Sequence, residues 1–356
     1  PALMGLLAAV AAAAAPVLQT LIDLQRPSCR GTTADVELLG ESEAMREIRR
    51  AVARAADAPF PVLIQGESGA GKELVARAIH RASARRNRNF CALNCAALPD
   101  ELLEAELFGH ARGAFTGAVG ERAGLFEEAD SGVLFLDEVG ELTPRGQAKL
   151  LRAIQEGEIK RLGETFARKV DVRIIAATNR SLEQEVAAGR FRRDLRYRLD
   201  VIRLTIPPLR DRPEDIPLLA QHLWRSAAAR VGSRAVLGGG VMAALARYDW
   251  PGNVRELQNV LAALAVSAPK RGVVSAGSLP ATLAANAVRG SARTLEEARR
   301  LFEERYVRAA LARAGGDRGR AAAELGVTRQ GLAKLMGRLG VTSLDATARS
   351  QPRPAI

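Results

Sequence analysis

Lys72 closes the run Gly66-Glu67-Ser68-Gly69-Ala70-Gly71-Lys72-Glu73, and a lysine behind glycines at that spacing is suited to holding phosphate. A strand, a glycine turn and a helix start bring successive backbone N–H groups onto phosphate oxygens, with the lysine reaching the β and γ groups. The Ser/Thr usual after the lysine is replaced by Glu73, which removes a hydroxyl ligand for Mg2+ and adds a negative charge. Downstream, Asp137 and Glu138 end the apolar run 132–138. Beside a phosphate loop the first acid suits magnesium and the second suits orienting and deprotonating an attacking water. Thr178 and Asn179, after the β-rich run 170–177, stand where a γ-phosphate or its water is sensed. The segment 191–198 carries Arg192, Arg193, Arg196 and Arg198. It reads either as a solvated basic helix or as a set that reaches a neighbour's phosphates. Arg255, at the start of the helix after Asn253, is placed to approach a nucleotide from the lid side.

Between these motifs lies a charge-free hexapeptide, Gly113-Ala114-Phe115-Thr116-Gly117-Ala118. Its glycines permit positive φ, so Phe115 and Thr116 sit at a tip. The tip is either an exposed loop that does mechanical work or a hairpin that buries its Phe.

Five segments read as the strands that carry these residues: 62–65, 89–94, 132–138, 170–177 and 201–206. They alternate with helical segments, and a helix over 43–56 precedes them with Met45, Ile48, Val52 and Ala55 at helical spacing. The expected fold class is α/β, a five-stranded parallel sheet with its ligand at the carboxyl ends of the strands. From Asp211 the strand signals stop and a small helical lid is expected. The boundaries read as a linker helix or remnant of an upstream regulatory domain over 1–37, an α/β subdomain over 38–208 and a lid over 209–267. A Gly/Ala/Ser-rich linker over 268–291, a helical C-terminal domain over 292–342 and a tail over 343–356 complete the chain.

In the C-terminal domain, 318–325 and 329–339 are two short helices around a Gly-containing turn, the helix-turn-helix arrangement. Leu325, Val327, Leu332, Leu335 and Leu339 are expected inside. Arg318, Arg329, Gln330, Lys334 and Arg338 are left for the groove and phosphates of duplex DNA; a helical hairpin without a DNA role is the alternative. Gly331 and Gly337 each cost about 1 kcal/mol of helix stability relative to Ala, so DNA binding is expected to rely on several copies acting together.

The 356 residues exceed what one core serves, and the formal charge of +12 favours an anionic partner. From residue 289 onward there are 14 Lys/Arg against 7 Asp/Glu, so more than half of the excess falls in the last fifth of the chain. Three cysteines cannot supply a disulfide framework and show no zinc spacing, which makes a cytoplasmic location the expectation. Residues 2–22 carry no charge, but they are Ala-rich and hold Pro16, so no membrane span is expected.

Together these residues resemble the bacterial sigma-54-dependent enhancer-binding activators, the nitrogen-regulator-type branch of the AAA+ ATPases. The likeness runs from about Leu38 to Val341. It rests on the phosphate loop, the hexapeptide, Leu134-Phe-Leu-Asp-Glu138, Ile206-Pro-Pro-Leu-Arg210 and Trp250-Pro-Gly-Asn-Val-Arg-Glu-Leu257. In that family Glu73 is usual. The resemblance implies that ATP and Mg2+ are the cofactors, with Lys72 on phosphate, Asp137 on magnesium and Glu138 activating water. It implies that Asn94 restrains Glu138, Thr178 and Asn179 form the first sensor, and Arg255 forms the second. Arg192 and Arg198 become fingers donated to a neighbour in a homo-oligomeric ring, a hexamer or heptamer. Phe115 and Thr116 become the tip that grips sigma-54 and remodels the closed RNA polymerase complex, while a Fis-type C-terminal domain holds enhancer-like DNA. A different class of reading is a DNA-binding regulator that binds nucleotide yet acts by promoter occupancy. A DNA-translocating ATPase is a third, and it leaves the hexapeptide unexplained.

Overall fold

A computed structural model describes residues 38–114, 120–280 and 317–339, together with Val341 and a few positions between 283 and 314. The chain divides into two compact units, one ending at Pro280 and the other beginning at Ala281.

In the first unit the elements follow as α1 (Glu43–Asp57), β1 (Val62–Gln65), α2 (Lys72–Ala82), β2 (Phe90–Asn94), α3 (Asp100–Phe108), α4 (Leu125–Glu128) and β3 (Val133–Asp137). Next come α5 (Pro144–Glu156), β4 (Glu158–Ile159), β5 (Arg168–Lys169), β6 (Arg173–Thr178), α6 (Leu182–Ala187), α7 (Arg193–Leu199) and β7 (Ile202–Thr205). Strands β2-β3-β6-β1-β7 lie side by side in that order, every pair parallel. The apolar runs are continuous because both faces of this sheet are covered. Val62, Ile64, Val133, Phe135, Ile175 and Ala177 face α1 and α2, whereas Leu63, Leu134, Leu136, Ile174 and Ala176 face the layer that holds α3 and α5. Register follows from this two-residue alternation, since a slip of one residue would exchange the two cores. It sets Gln65 beside Thr178 and Asn94 beside Asp137, which gathers the chemical motifs at one edge.

The lid holds α8 (Ile216–Arg230), α9 (Gly239–Arg247) and α10 (Asn253–Ser267). Trp250 is fully buried between them and donates from Nε1 to the Leu245 carbonyl at 2.9 Å. Here the structure departs from the expectation that strands end before Asp211. β8 (Val236–Leu237) pairs in parallel with β9 (Val273–Val274), and Gly238 N–H donates to the Val274 carbonyl at 3.0 Å. Residues 268–280 are therefore folded onto the lid, although their Gly/Ala/Ser content reads as linker. Two-residue strands leave no periodic signal, and what holds them is the partner segment.

In the second unit α11 (Arg318–Glu324) and α12 (Arg329–Leu339) flank the turn at Gly326. Asp317 caps the first by accepting from Gly319 and Arg320 N–H at 2.7 and 3.2 Å, and Thr328 Oγ1 accepts from Gly331 N–H at 3.1 Å. Leu332, Met336 and Leu339 are buried with Ala321 and Ala322. Val327, expected inside, is exposed, and Met336 takes the inward position instead because it falls one turn from Leu332.

Candidate functional site

The phosphate loop leaves β1 through Gly66, where space is tight: a Cβ there would lie 3.2 Å from both Cβ and the carbonyl oxygen of Ile206. Gly69 and Gly71 hold φ of 75° and 103°, the left-handed region that favours glycine. Lys72 is buried at the first turn of α2. Its Nζ donates to the carbonyls of Gly66 at 3.0 Å and Glu67 at 3.5 Å, and to Glu138 Oε1 at 3.1 Å. Glu73 is turned away onto its own helix and pairs with Arg77 at 2.8 Å, so its added charge is answered within one helical turn.

Asp137 and Glu138 stand at the end of β3 with different roles in the geometry. Asp137 Oδ1 accepts the Glu138 N–H at 3.0 Å, and burial, assisted by the neighbouring Glu138 charge, pushes its carboxyl above the ordinary range against the pull of Lys72. Glu138 has φ 52° and ψ 48°, an uncommon conformation outside glycine. Its two carboxylate oxygens meet different partners. Oε1 meets Lys72, and Oε2 accepts the backbone N–H of Asn179 at 3.0 Å. Thr178 is fully buried, with Oγ1 accepting the Arg180 N–H at 3.0 Å. The contact from the end of β6 to Glu138 thus runs through the main chain of Asn179.

Asn94 differs from its expected role. Its Oδ1 accepts the Ala96 N–H at 2.8 Å, closing a local turn, and the side chain makes no bond to Glu138. Holding Glu138 would take a donor from Asn94 Nδ2, and here Lys72 and the Asn179 N–H take both oxygens of Glu138. Arg255 stands beside the loop, with its Cβ 2.9 Å from where a Cβ on Gly69 would be. Its guanidinium is exposed. Arg192 donates to Asp194 at 2.7 Å and is fixed by its N–H on Gln147 Oε1 at 2.9 Å. Arg198 and Arg193 lie exposed on α7 without an ion pair among the described residues. Arg196 is occupied within the chain by Glu183 at 2.9 Å.

Arg210, Arg212 and Asn253 also touch the phosphate loop, and the residue-type reading did not select them. Arg210 and Asn253 lie inside the quoted motifs 206–210 and 250–257, so a signal existed in their position. No motif marks Arg212.

Of the hexapeptide, Gly113 and Ala114 are described, while Phe115, Thr116, Gly117 and Ala118 lie outside the described residues. The root of the loop is closed by an antiparallel bridge between His110 and Arg122. Ala111 N–H also donates to the Leu162 carbonyl at 2.9 Å, in the turn joining β4 and β5. In the second unit Arg318, Arg329, Gln330 and Lys334 are exposed as expected. Arg338 instead pairs with Glu303 at 2.5 Å, which offsets part of the charge it offers an anion.

The set fits a nucleoside triphosphate with magnesium. A lysine more than nine-tenths buried faces glycine amides, and one carboxylate at the strand end matches the one or two protein ligands that magnesium takes beside phosphates and water. Among the described residues no group of three or more His, Cys, Asp and Glu forms a metal cluster. No helix among them is long and apolar enough to cross a membrane.

Comparison with known proteins agrees. Residues 38–205 match the model of the sigma-54 interaction domain, 210–295 the AAA+ ATPase lid domain, and 298–339 the bacterial regulatory protein Fis family. The chain is 46% identical over 314 residues to the transcriptional regulatory protein ZraR of Salmonella typhimurium, covering 86% of this chain and 70% of the relative. It is 49% identical over 295 residues to the hydrogenase transcriptional regulatory protein HoxA of Bradyrhizobium diazoefficiens, covering 80% and 60%. The crystal structure of NtrX from Brucella abortus in complex with ATP superposes with a TM-score of 0.66 at 36% identity, covering 94% of this chain and 74% of NtrX. The buried phosphate-loop lysine, the acidic strand end and the C-terminal helix pair are thus parts of one known architecture, and the chain belongs to the sigma-54-dependent enhancer-binding family of transcriptional regulators, with an AAA+ domain, a lid and a Fis-type DNA-binding domain.

Proposed function

We propose that this regulator hydrolyses ATP to convert closed complexes of sigma-54 RNA polymerase into open ones, acting in the cytoplasm from enhancer-like DNA as a ring of identical chains. The observation that carries the reading is the convergence of Lys72 and Asn179 N–H on the two oxygens of Glu138, at 3.1 and 3.0 Å, beside the phosphate loop. The Gly66 and Ala70 N–H groups are spent on the Thr178 and Glu67 carbonyls, so the remaining N–H groups of the loop are the ones offered to the phosphates, which Lys72 neutralises. Asp137 would hold magnesium, which when bound would supply positive charge to the transferring phosphoryl group.

Phosphate oxygens compete with Glu138 for Lys72 and release Oε1. That oxygen then takes a proton from water as the water oxygen bonds to the γ phosphorus and the bond to the β-bridging oxygen breaks, leaving ADP and phosphate. The main-chain N–H of Asn179 holds the other oxygen of Glu138, Thr178 braces the turn that presents it through the Arg180 N–H, and Arg255 approaches from the lid. Arg198, exposed and without an ion pair among the described residues, is the better placed of the two proposed fingers for a neighbour's site; Arg192 must first leave Asp194. Phe115 and Thr116 carry the motion to sigma-54. Arg318, Arg329, Gln330 and Lys334 hold DNA.

The competing reading, regulation by occupancy alone, draws on the same DNA-binding unit. Glu138→Ala separates the two in an open-complex assay with purified sigma-54 polymerase and ATP. The variant is expected to bind ATP and lose hydrolysis by about 10²-fold or more, with activation lost in parallel. Activation at the level of the unchanged protein would support occupancy and end the remodelling reading.

A further inference from the structure

Four consecutive residues of the phosphate loop are held by the lid and the segment leading into it. The Glu67 carboxylate accepts from both guanidinium ends of Arg210, at 2.5 and 2.9 Å, and from Asn253 Nδ2 at 3.1 Å. Asn253 Nδ2 also donates to the Ser68 carbonyl at 3.0 Å, while its Oδ1 accepts the Leu209 N–H at 2.8 Å. Val254 N–H donates to the Gly69 carbonyl at 3.1 Å, and a Cβ on Gly69 would stand 2.4 Å from the Gly252 carbonyl oxygen. Arg212 donates to the Ala70 carbonyl at 3.2 Å. Asn253 is fully buried with φ 53°, a conformation an asparagine keeps in a core when its surroundings dictate it.

The chemistry poses a problem that these contacts answer. A carboxylate inside a loop that receives several phosphate charges repels them unless its own charge is neutralised and aimed elsewhere. The hydrogen bonds from Arg210, then Asn253, hold the Glu67 carboxyl below the ordinary carboxylate range, so the acid stays ionised and is directed toward the lid.

We propose that Arg210 and Asn253 are positioning residues for the nucleotide: by neutralising and aiming Glu67 they tie the phosphate loop to the lid, so that loading the loop moves both together. The proposal rests on the ATP reading above. Neither residue needs to touch the nucleotide. Glu67 is the intermediary, and that makes the effect of each conditional on its charge.

The test measures binding of a fluorescent ribose-labelled ATP analogue with magnesium to the full chain. Arg210→Ala is made alone and in the Glu67→Gln background, with thermal unfolding recorded for each. Arg210→Ala is expected to weaken binding about fivefold, the order of coupling within one charge network, and by less than about twofold once Glu67→Gln is present. A second pair uses the near-isosteric Asn253→Asp, which sets an acceptor where a donor faced Glu67; its loss is likewise expected to shrink in the Glu67→Gln background. Equal losses in both backgrounds would mean direct contact or a purely structural part and would overturn the proposal, as would no loss from Arg210→Ala. Absence of analogue binding by the unchanged protein would overturn the ATP reading itself, and the positioning proposal with it.

Discussion

Asp215 offers a sharp measurement of how the start of the ATPase core is joined to the lid. It is fully buried, and it accepts the Glu41 N–H at 2.7 Å, the Ser42 N–H at 2.8 Å and the Ser42 hydroxyl at 2.7 Å. It also faces Arg212, which is buried, whose guanidinium desolvation pushes below its ordinary range and which the Asp215 charge supports. Asp215→Ala removes the acceptor for all three bonds. Glu41 is exposed, so its N–H can turn to water, but the two Ser42 donors are buried and cannot. Each orphaned buried donor costs about 1–3 kcal/mol, and Arg212 also loses a supporting charge. The two Ser42 donors together put the expected destabilisation at about 4 kcal/mol. Urea unfolding followed by tryptophan fluorescence reads it well, because both tryptophans, Trp224 and Trp250, are buried in the lid. The lid transition should move to lower urea without a change in slope. A shift worth less than about 1 kcal/mol would show that these bonds do not stabilise the junction, and would refute the reasoning.

Glu183 carries a pH dependence. Its own backbone N–H, then Arg203, hold its carboxyl down to about 2. A depressed carboxyl contributes stability that is present above its unfolded value and lost as pH falls through its folded one, so Glu183→Gln should flatten the decline in stability from about pH 4.5 to 2; an unchanged acid limb in a pH series of melting temperatures would count against it. In the DNA-binding unit, Lys334→Ala is expected to weaken duplex binding and to reduce the salt slope by about one unit. Arg338→Ala should do less, because Glu303 already occupies its charge, and anisotropy titrations at two salt concentrations compare them.

Much of the sheet was legible because strands covered on both faces read as continuous apolar runs and end in residues of unmistakable chemistry. The helix over 43–56 came through by its helical spacing: Met45, Ile48, Val52 and Ala55 form one apolar stripe, and all four are buried. The pairing of β8 with β9 did not, since two residues are too few to show a period. Nor did the turn that occupies Asn94, because an amide that closes its own backbone looks the same in sequence as one that reaches across a site. Arg338 illustrates the limit in the C-terminal helices: periodicity places it outward, and only the fold brings Glu303 against it.

The sequence by itself determined the kind of chemistry and the family, because a phosphate loop, an acidic strand end and a hexapeptide are local patterns whose meaning lies in residue type and spacing. Tertiary structure alone decided who answers each charge. Glu67 is met by Arg210 from 143 positions away and by Asn253 from 186, and Ser42 by Asp215 from 173. A charge buried or aimed at a ligand requires a partner at about 3 Å, and separation along the chain carries no information about which distant residue folding will place there.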